Sequence, residues 1–251
     1  MLFKKITWTT PGGEYYTHIK HILDENHLLI AGCSGSGKSV LINTLIHTLL
    51  LNSPVKTELI LIDPKRVELI NYKKLPHCIK YASENTQIID ALNYAVDTMQ
   101  SRYKTLQKKN LKKSTESDIY IIFDEFGDLI TTSKKEVEPL IIRLAQLGRA
   151  ANIHLILATQ NPSRKVITAG IKVNIDAAIA LRCREPLESR MIIGCKGAEL
   201  LPKHGQAFYL SPDYLQPQLI SIPLTPEAEI NQRIEFWRKQ YKKNYPILSR
   251  L

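Results

Sequence analysis

The segment Gly32-Cys33-Ser34-Gly35-Ser36-Gly37-Lys38-Ser39 satisfies the spacing G-x-x-x-x-G-K-[ST], and the chemistry that spacing serves is the binding of a phosphate chain. Glycines there let the backbone turn through positive φ, so that successive amide N–H groups converge on phosphate oxygens at the positive end of the following helix. Lys38 is expected to reach the β- and γ-phosphates. The Ser39 hydroxyl is expected to ligate magnesium, which keeps most of its waters and takes few protein groups. The nucleotide contacts read from the pattern are Gly32, Ser34, Gly35, Ser36, Gly37, Lys38, Ser39 and Val40. A flexible glycine turn is the plainer alternative; against it stands the setting, between an apolar run and a segment of helical pattern.

Two further sites lie at the ends of apolar runs. Ile121-Ile122-Phe123 leads into Asp124-Glu125, and in parallel sheets ligands bind at the C-terminal edge of the strands. An Asp there can hold magnesium beside the serine, and a carboxylate one residue further on can polarise a water for attack on the γ-phosphate. ATP and Mg2+ are therefore the predicted cofactors, and hydrolysis the predicted reaction. Capping of a following helix explains both acids equally well when they are taken alone. The run His154 to Ala158 leads into Thr159-Gln160-Asn161-Pro162. The Gln160 amide can donate to a phosphate oxygen and accept from water, so it is a candidate γ-phosphate sensor, with an ordinary solvent-facing loop glutamine as the alternative.

The elements that must position these residues follow from the hydrophobic pattern. Strands are predicted at His27 to Ala31, Glu58 to Ile62, Ile119 to Phe123, Ile153 to Ala158 and Ala177 to Leu181. Helices are predicted from Lys38 to about Leu51, near Thr86 to Lys109, and from Glu136 to Ala151. Short, continuously apolar strands alternating with helices indicate an α/β fold, a central mostly parallel sheet covered by helices on both faces. Beyond Gly205, Gln206 to Leu210 and Gln218 to Ile222 read as edge strands among prolines. The expected organisation is one domain over 1–225, followed at 226–251 by a basic helical tail from Glu227 to about Tyr241.

Composition narrows the class. The 251 residues are 44% hydrophobic and 23% charged, which excludes disordered and collagen-like chains. The net charge of +10 suits a polyanionic partner. Cys33, Cys78, Cys183 and Cys195 form no CxxC pair, the first residues carry no signal-peptide pattern, and Val40 to Leu51 is too short and polar to span a bilayer. A cytoplasmic protein is expected. His18 and His21, three residues apart, would share a face if helical but have no third ligand at useful spacing, so no metal site is read there.

Together with the glycine-rich loop, the segments LILIDPKRVELINYKKLPH, IIFDEFGDLI, RLAQLGRAANIHLILATQNPSRKVITAGIKVN and ESRMIIGCKGAELL resemble, in order, the motor blocks of the FtsK/SpoIIIE family of ring-forming, ATP-driven DNA translocases. The likeness runs from His27 to about Leu210 and is closest to the compact motors of conjugative elements, plasmids or phages. It implies a RecA-like P-loop NTPase with DNA-stimulated ATPase activity, working as a homo-oligomeric ring, usually a hexamer, around duplex DNA. It also implies an arginine supplied by the neighbouring subunit, for which Arg149 and Arg190 are the candidates. Lys65 and Arg66 are candidates to line the site or the subunit boundary, and Arg164, Lys165 and Lys172 to contact DNA phosphates. A membrane or portal partner is not encoded in the segment. The alternatives carried forward are a packaging or conjugative coupling ATPase acting with such a partner, and a nucleotide-dependent DNA-binding module with little turnover.

Overall fold

The apolar runs become the centre of one sheet. The computed structural model describes residues 5–6, 19 and 21–244. Its strands are β1 (Lys5–Ile6), β2 (His27–Ala31), β3 (Thr57–Ile62), β4 (Cys78–Ala82), β5 (Asp118–Phe123), β6 (Ile153–Thr159), β7 (Ala177–Ala180), β8 (Gln206–Leu210) and β9 (Gln218–Ser221). In space they run β1-β9-β8-β7-β2-β6-β5-β3-β4. β7, β2, β6, β5, β3 and β4 are mutually parallel, and β8 enters antiparallel to both β7 and β9. The helices are α1 (Lys38–Leu49), α2 (Asn85–Lys109), α3 (Phe126–Thr132), α4 (Lys134–Leu147), α5 (Ala169–Lys172), α6 (Pro186–Ile193) and α7 (Glu227–Asn244).

Both faces of the sheet are dry, which is why the central strands read as unbroken apolar runs rather than as alternations. Leu29, Ala31, Ile60, Ile62, Ile121, Phe123, Leu155 and Leu157 face one core, shared with α2, α3 and α4 through Leu92, Met99, Phe126, Ile141 and Leu144. Leu28, Ile30, Leu59, Leu61, Ile122 and Ile156 face the other, shared with α1 and α7 through Leu41, Leu45 and Ile234. Each such Leu, Ile, Met or Phe side chain contributes about 1.5–3 kcal/mol when fully buried, enough to fix which face the central strands turn to which core.

The departures from the sequence reading have local causes. β4 was not anticipated because its sequence, Cys-Ile-Lys-Tyr-Ala, lies at the sheet edge and is mostly half-buried, leaving no apolar run to detect. The helix expected at Glu136 to Ala151 begins at Lys134 and ends at Leu147; a 3-10 turn over Arg149–Ala151 follows, and Asn152 at φ 53° reverses the chain into β6. The helix expected in the tail is α7, and it is seated on the body. Ile234 is buried, Trp237 Nε1 donates to the Leu50 carbonyl at 2.8 Å, and the Trp237 ring meets His77 edge-on at 4.8 Å. The side chains of Lys242 and Lys243, and His18, lie outside the described residues. Among the described residues no helix is long and apolar enough to cross a membrane.

Candidate functional site

Parallel strands place their C-terminal ends along one edge, and the loops after β2, β5 and β6, three neighbours in the sheet, meet there. The glycine-rich loop leaves β2 pinned to both neighbours: Gly32 N–H donates to the Thr159 carbonyl at 3.4 Å and Cys33 N–H to the Arg182 carbonyl at 2.8 Å. Gly32 has no room for a side chain, since a Cβ would stand 2.7 Å from Leu181 Cβ and 2.9 Å from Ser36 Oγ. Gly35 and Gly37 take φ of 73° and 96°, the left-handed region that lets the loop curl back on itself.

What the curl encloses fits a phosphate chain. α1 starts at Gly37 with no side-chain cap and no acidic residue in its first turn, so its free amides and positive end face an open space. A Cβ at Gly37 would meet nothing within 4 Å. Ser36 is 2% exposed, yet its Oγ has no hydrogen-bond partner. A buried, unpartnered hydroxyl beside uncapped amides is a donor set awaiting an acceptor. Ser34 and Gly35 form the exposed tip, and Ser39 and Val40 are partly exposed on the first turn of α1.

Lys38 and Asp124, expected at the phosphates and the magnesium respectively, are paired with each other. The Lys38 Nζ donates to Asp124 Oδ1 at 2.6 Å and to the Asp124 carbonyl at 2.5 Å, and both side chains are 3% exposed. Breaking a buried pair from one side strands the other charge, so each holds the other in place until a competing ligand arrives. Glu125 turns the other way. Its Oε1 accepts from Thr159 Oγ1 at 2.6 Å and Gly127 N–H at 3.2 Å, and its Oε2 accepts from Gln160 N–H at 2.8 Å. The capping expected of an acid here is what the structure shows for Glu125: it caps α3 and is tied to the end of β6. Gly127 allows this, because a Cβ there would meet Thr159 Oγ1 at 2.8 Å.

Thr159 is the residue the sequence reading missed. It joins Glu125 to the turn after β6, accepting from Asn161 N–H at 3.0 Å, and its signal was a hydroxyl at the very end of an apolar strand. Gln160 reaches Glu125 through its backbone amide, while its side chain is half-buried. Arg149 and Arg190 are both exposed, with no ion-pair partner among the described residues, and neither contacts Lys38, Asp124 or Glu125. Arg149 precedes β6 whereas the phosphate loop follows its parallel neighbour β2, so the two lie at opposite edges of the sheet, separated by about 20 Å of strand.

Other candidates are otherwise engaged. Lys172 Nζ donates to the Met191 carbonyl at 2.6 Å, closing the C-terminal end of α6. Lys65 lies 3.7 Å from Asp128, and Arg66, at φ 58°, pairs with Glu84 at 2.9 Å. Arg164 and Lys165 are exposed. Among the described residues no group of three His, Cys, Asp or Glu side chains could enclose a metal, so an ion here would depend on Ser39, Asp124, water and phosphate.

A sequence profile of the FtsK/SpoIIIE family matches residues 10–118 and 113–164. The chain belongs to the FtsK/SpoIIIE family. The DNA translocase FtsK of Borreliella burgdorferi is 36% identical over 241 residues, 89% of this chain and 31% of that protein. That of Caldanaerobacter subterraneus subsp. tengcongensis is 39% identical over 231 residues, 87% of this chain and 33% of its own length. The chain thus spans about a third of these FtsK/SpoIIIE relatives. Among solved structures, the pCW3 conjugation coupling protein TcpA, in a monomer form with ATPγS, superposes with a TM-score of 0.75 at 23% identity, covering 85% of this chain and 66% of that one. The type VII secretion ATPase EccC of Thermomonospora curvata gives 0.70 at 23%, covering 84% and 28%. These likenesses show that the chain shares the fold of those two proteins.

Proposed function

We propose that this chain is the motor of an ATP-driven DNA translocase that hydrolyses ATP to move duplex DNA through a homo-oligomeric ring, of which a hexamer is the favoured form. The observation carrying the reading is the convergence of the phosphate cradle, the Lys38–Asp124 pair and the Glu125 carboxylate on adjacent strands. Membership of the FtsK/SpoIIIE family and the net charge of +10 support the DNA substrate.

In this reading Lys38 exchanges Asp124 for phosphate oxygens, which frees Asp124 to hold, with Ser39, the hydrated magnesium. When bound, that ion supplies neutralisation of charge on the transferring phosphoryl group. Glu125 becomes the general base on release from Thr159 and Gln160. Because Gln160 N–H holds that carboxylate, a shift of the turn after β6 and the state of the base are mechanically one event. The exposed Arg164 and Lys165 on the same turn contact DNA phosphates without reading bases, so salt weakens the complex steeply. Arg149, remote from its own cradle, serves only a neighbour's; Arg190 is the second candidate for that role. Residues 1–225 are assigned to the motor and 226–251 to a basic tail whose helix α7 is seated on the body, and the cytoplasm is the setting that suits a DNA substrate and four free cysteines.

The test is ATP turnover with and without duplex DNA, together with electron microscopy in a slowly hydrolysed ATP analogue. Lys38→Ala is expected to abolish ATP binding, and Glu125→Gln to keep binding while losing turnover by at least about a hundredfold. Wild-type turnover indifferent to DNA, or monomers persisting on DNA with nucleotide, overturns the translocase reading.

A further inference from the structure

The entry of β8 antiparallel to its neighbour β7 carries a consequence for the phosphate cradle. β7 ends at the nucleotide edge, so β8 must begin there, and the turn leading into it crosses the same edge. That turn is held at both ends. Leu201 is buried, and the Gly205 carbonyl accepts from Ile222 N–H at 2.9 Å. Between these anchors stands Lys203, exposed on the outside of the turn. Its Cε lies 3.5 Å from where a Cβ on Gly35 would be, which puts the lysine stem against the tip of the phosphate loop.

From this geometry we propose that Lys203 is a second cationic ligand of the nucleotide phosphates, closing over the cradle in the same subunit. Among the described residues its ammonium has no hydrogen-bond or ion-pair partner, whereas Lys38, the cation inside the cradle, is already paired with Asp124. A triphosphate brings more charge than one ammonium and the α1 amides offset, and a flexible lysine stem at the loop's open tip can follow phosphate oxygens as they arrive. The approach is close, since Lys203 Cε stands at ordinary van der Waals distance from the place of a Gly35 Cβ, while Gly35 itself is required by its φ of 73°. Direct contact makes Lys203 a binding residue, acting on nucleotide affinity more than on the chemical step.

The inference rests on the nucleotide reading of the loop, and the experiment separates the two. Equilibrium binding of a fluorescent N-methylanthraniloyl ATP with magnesium is measured for the full chain as wild type, Lys203→Ala, Lys203→Arg and Lys38→Ala, alongside steady-state KM and kcat. Lys203→Ala is expected to weaken binding and raise KM about tenfold, the size of a hydrogen bond to a charged group, with kcat changed less than twofold and Lys203→Arg restoring most of the loss. Unchanged ATP affinity in Lys203→Ala, or a loss confined to DNA binding, overturns the proposal while leaving the nucleotide site intact. Wild type and Lys38→Ala both failing to bind the probe would instead remove the nucleotide reading itself. Lys203 is exposed on a turn, and thermal unfolding matching wild type shows that the variant folds.

Discussion

Acid should destabilise this protein through His27, and the size of the effect can be worked out. His27 opens β2 beneath the nucleotide edge's opposite rim, 2% exposed, and its Nδ1 accepts the Leu155 N–H at 3.1 Å. Burial lowers its pKa from 6.5 to about 4; the nearby His154 adds to this, and the Ala145 carbonyl works weakly against it. The unfolded chain therefore takes up a proton near pH 6.5 while the folded one refuses it until about pH 4. Stability from this group is full above the unfolded value and drains away as pH falls through that window. Linkage makes the loss about 2 kcal/mol by about pH 5 and about 3 kcal/mol once the folded state also protonates. His47 and His77, whose pKa values burial also lowers, add to the same slope. His27→Asn keeps an acceptor near the Leu155 N–H and removes the titration, so urea unfolding at about pH 7.5 and about pH 5 isolates the His27 share. The variant starts less stable by about 1–3 kcal/mol for the lost ring, yet should lose about 2 kcal/mol less than wild type between the two conditions. Equal losses in the two proteins would show that burial does not keep the ring neutral, and the argument would fail.

Gly32→Ala should force the phosphate loop away from Leu181 and Ser36, costing about 1–3 kcal/mol of stability by overpacking and weakening ATP binding in the same fluorescence assay; a variant that binds normally would mean the loop has slack. Trp237→Ala should cost about 1–3 kcal/mol by chemical denaturation, since it removes the bond to Leu50 and the packing of a half-buried ring on His77. A loss below about 0.5 kcal/mol would show instead that the tail helix contributes nothing to the body. Alkylation of Cys33, a half-exposed thiol inside the phosphate loop, should block nucleotide binding and be slowed by saturating ATP, as followed by intact mass; full modification with unaltered ATPase would exclude it from the cradle's working parts.

Most of the fold was legible because its central strands are buried on both faces. Composition and spacing alone place β2, β5 and β6, and the order of the phosphate loop, Asp124-Glu125 and Gln160 at their ends was enough to assemble the candidate site. β4 was not legible because an edge strand excludes little water and needs no apolar run. The seating of α7 was obscured for a related reason. A helix rich in charge announces a solvated tail, whereas Ile234 and Trp237 alone are enough to hold its inner side against α1 and His77.

Residue identity by itself pointed to a phosphate loop here, through the spacing G-x-x-x-x-G-K-S set between an apolar run and a segment of helical pattern. It also determined that two acids follow a buried strand. Only the tertiary structure decided how those acids divide their work: Asp124 pairs with Lys38, and Glu125 turns to Thr159 and Gln160. It alone set Arg149 at the far rim and Lys203 over the loop's tip. The reason is that local pattern reports what a side chain needs, burial or water, whereas partners across 86 residues of chain, as for Lys38 and Asp124, depend on strand order, which no short-range spacing encodes.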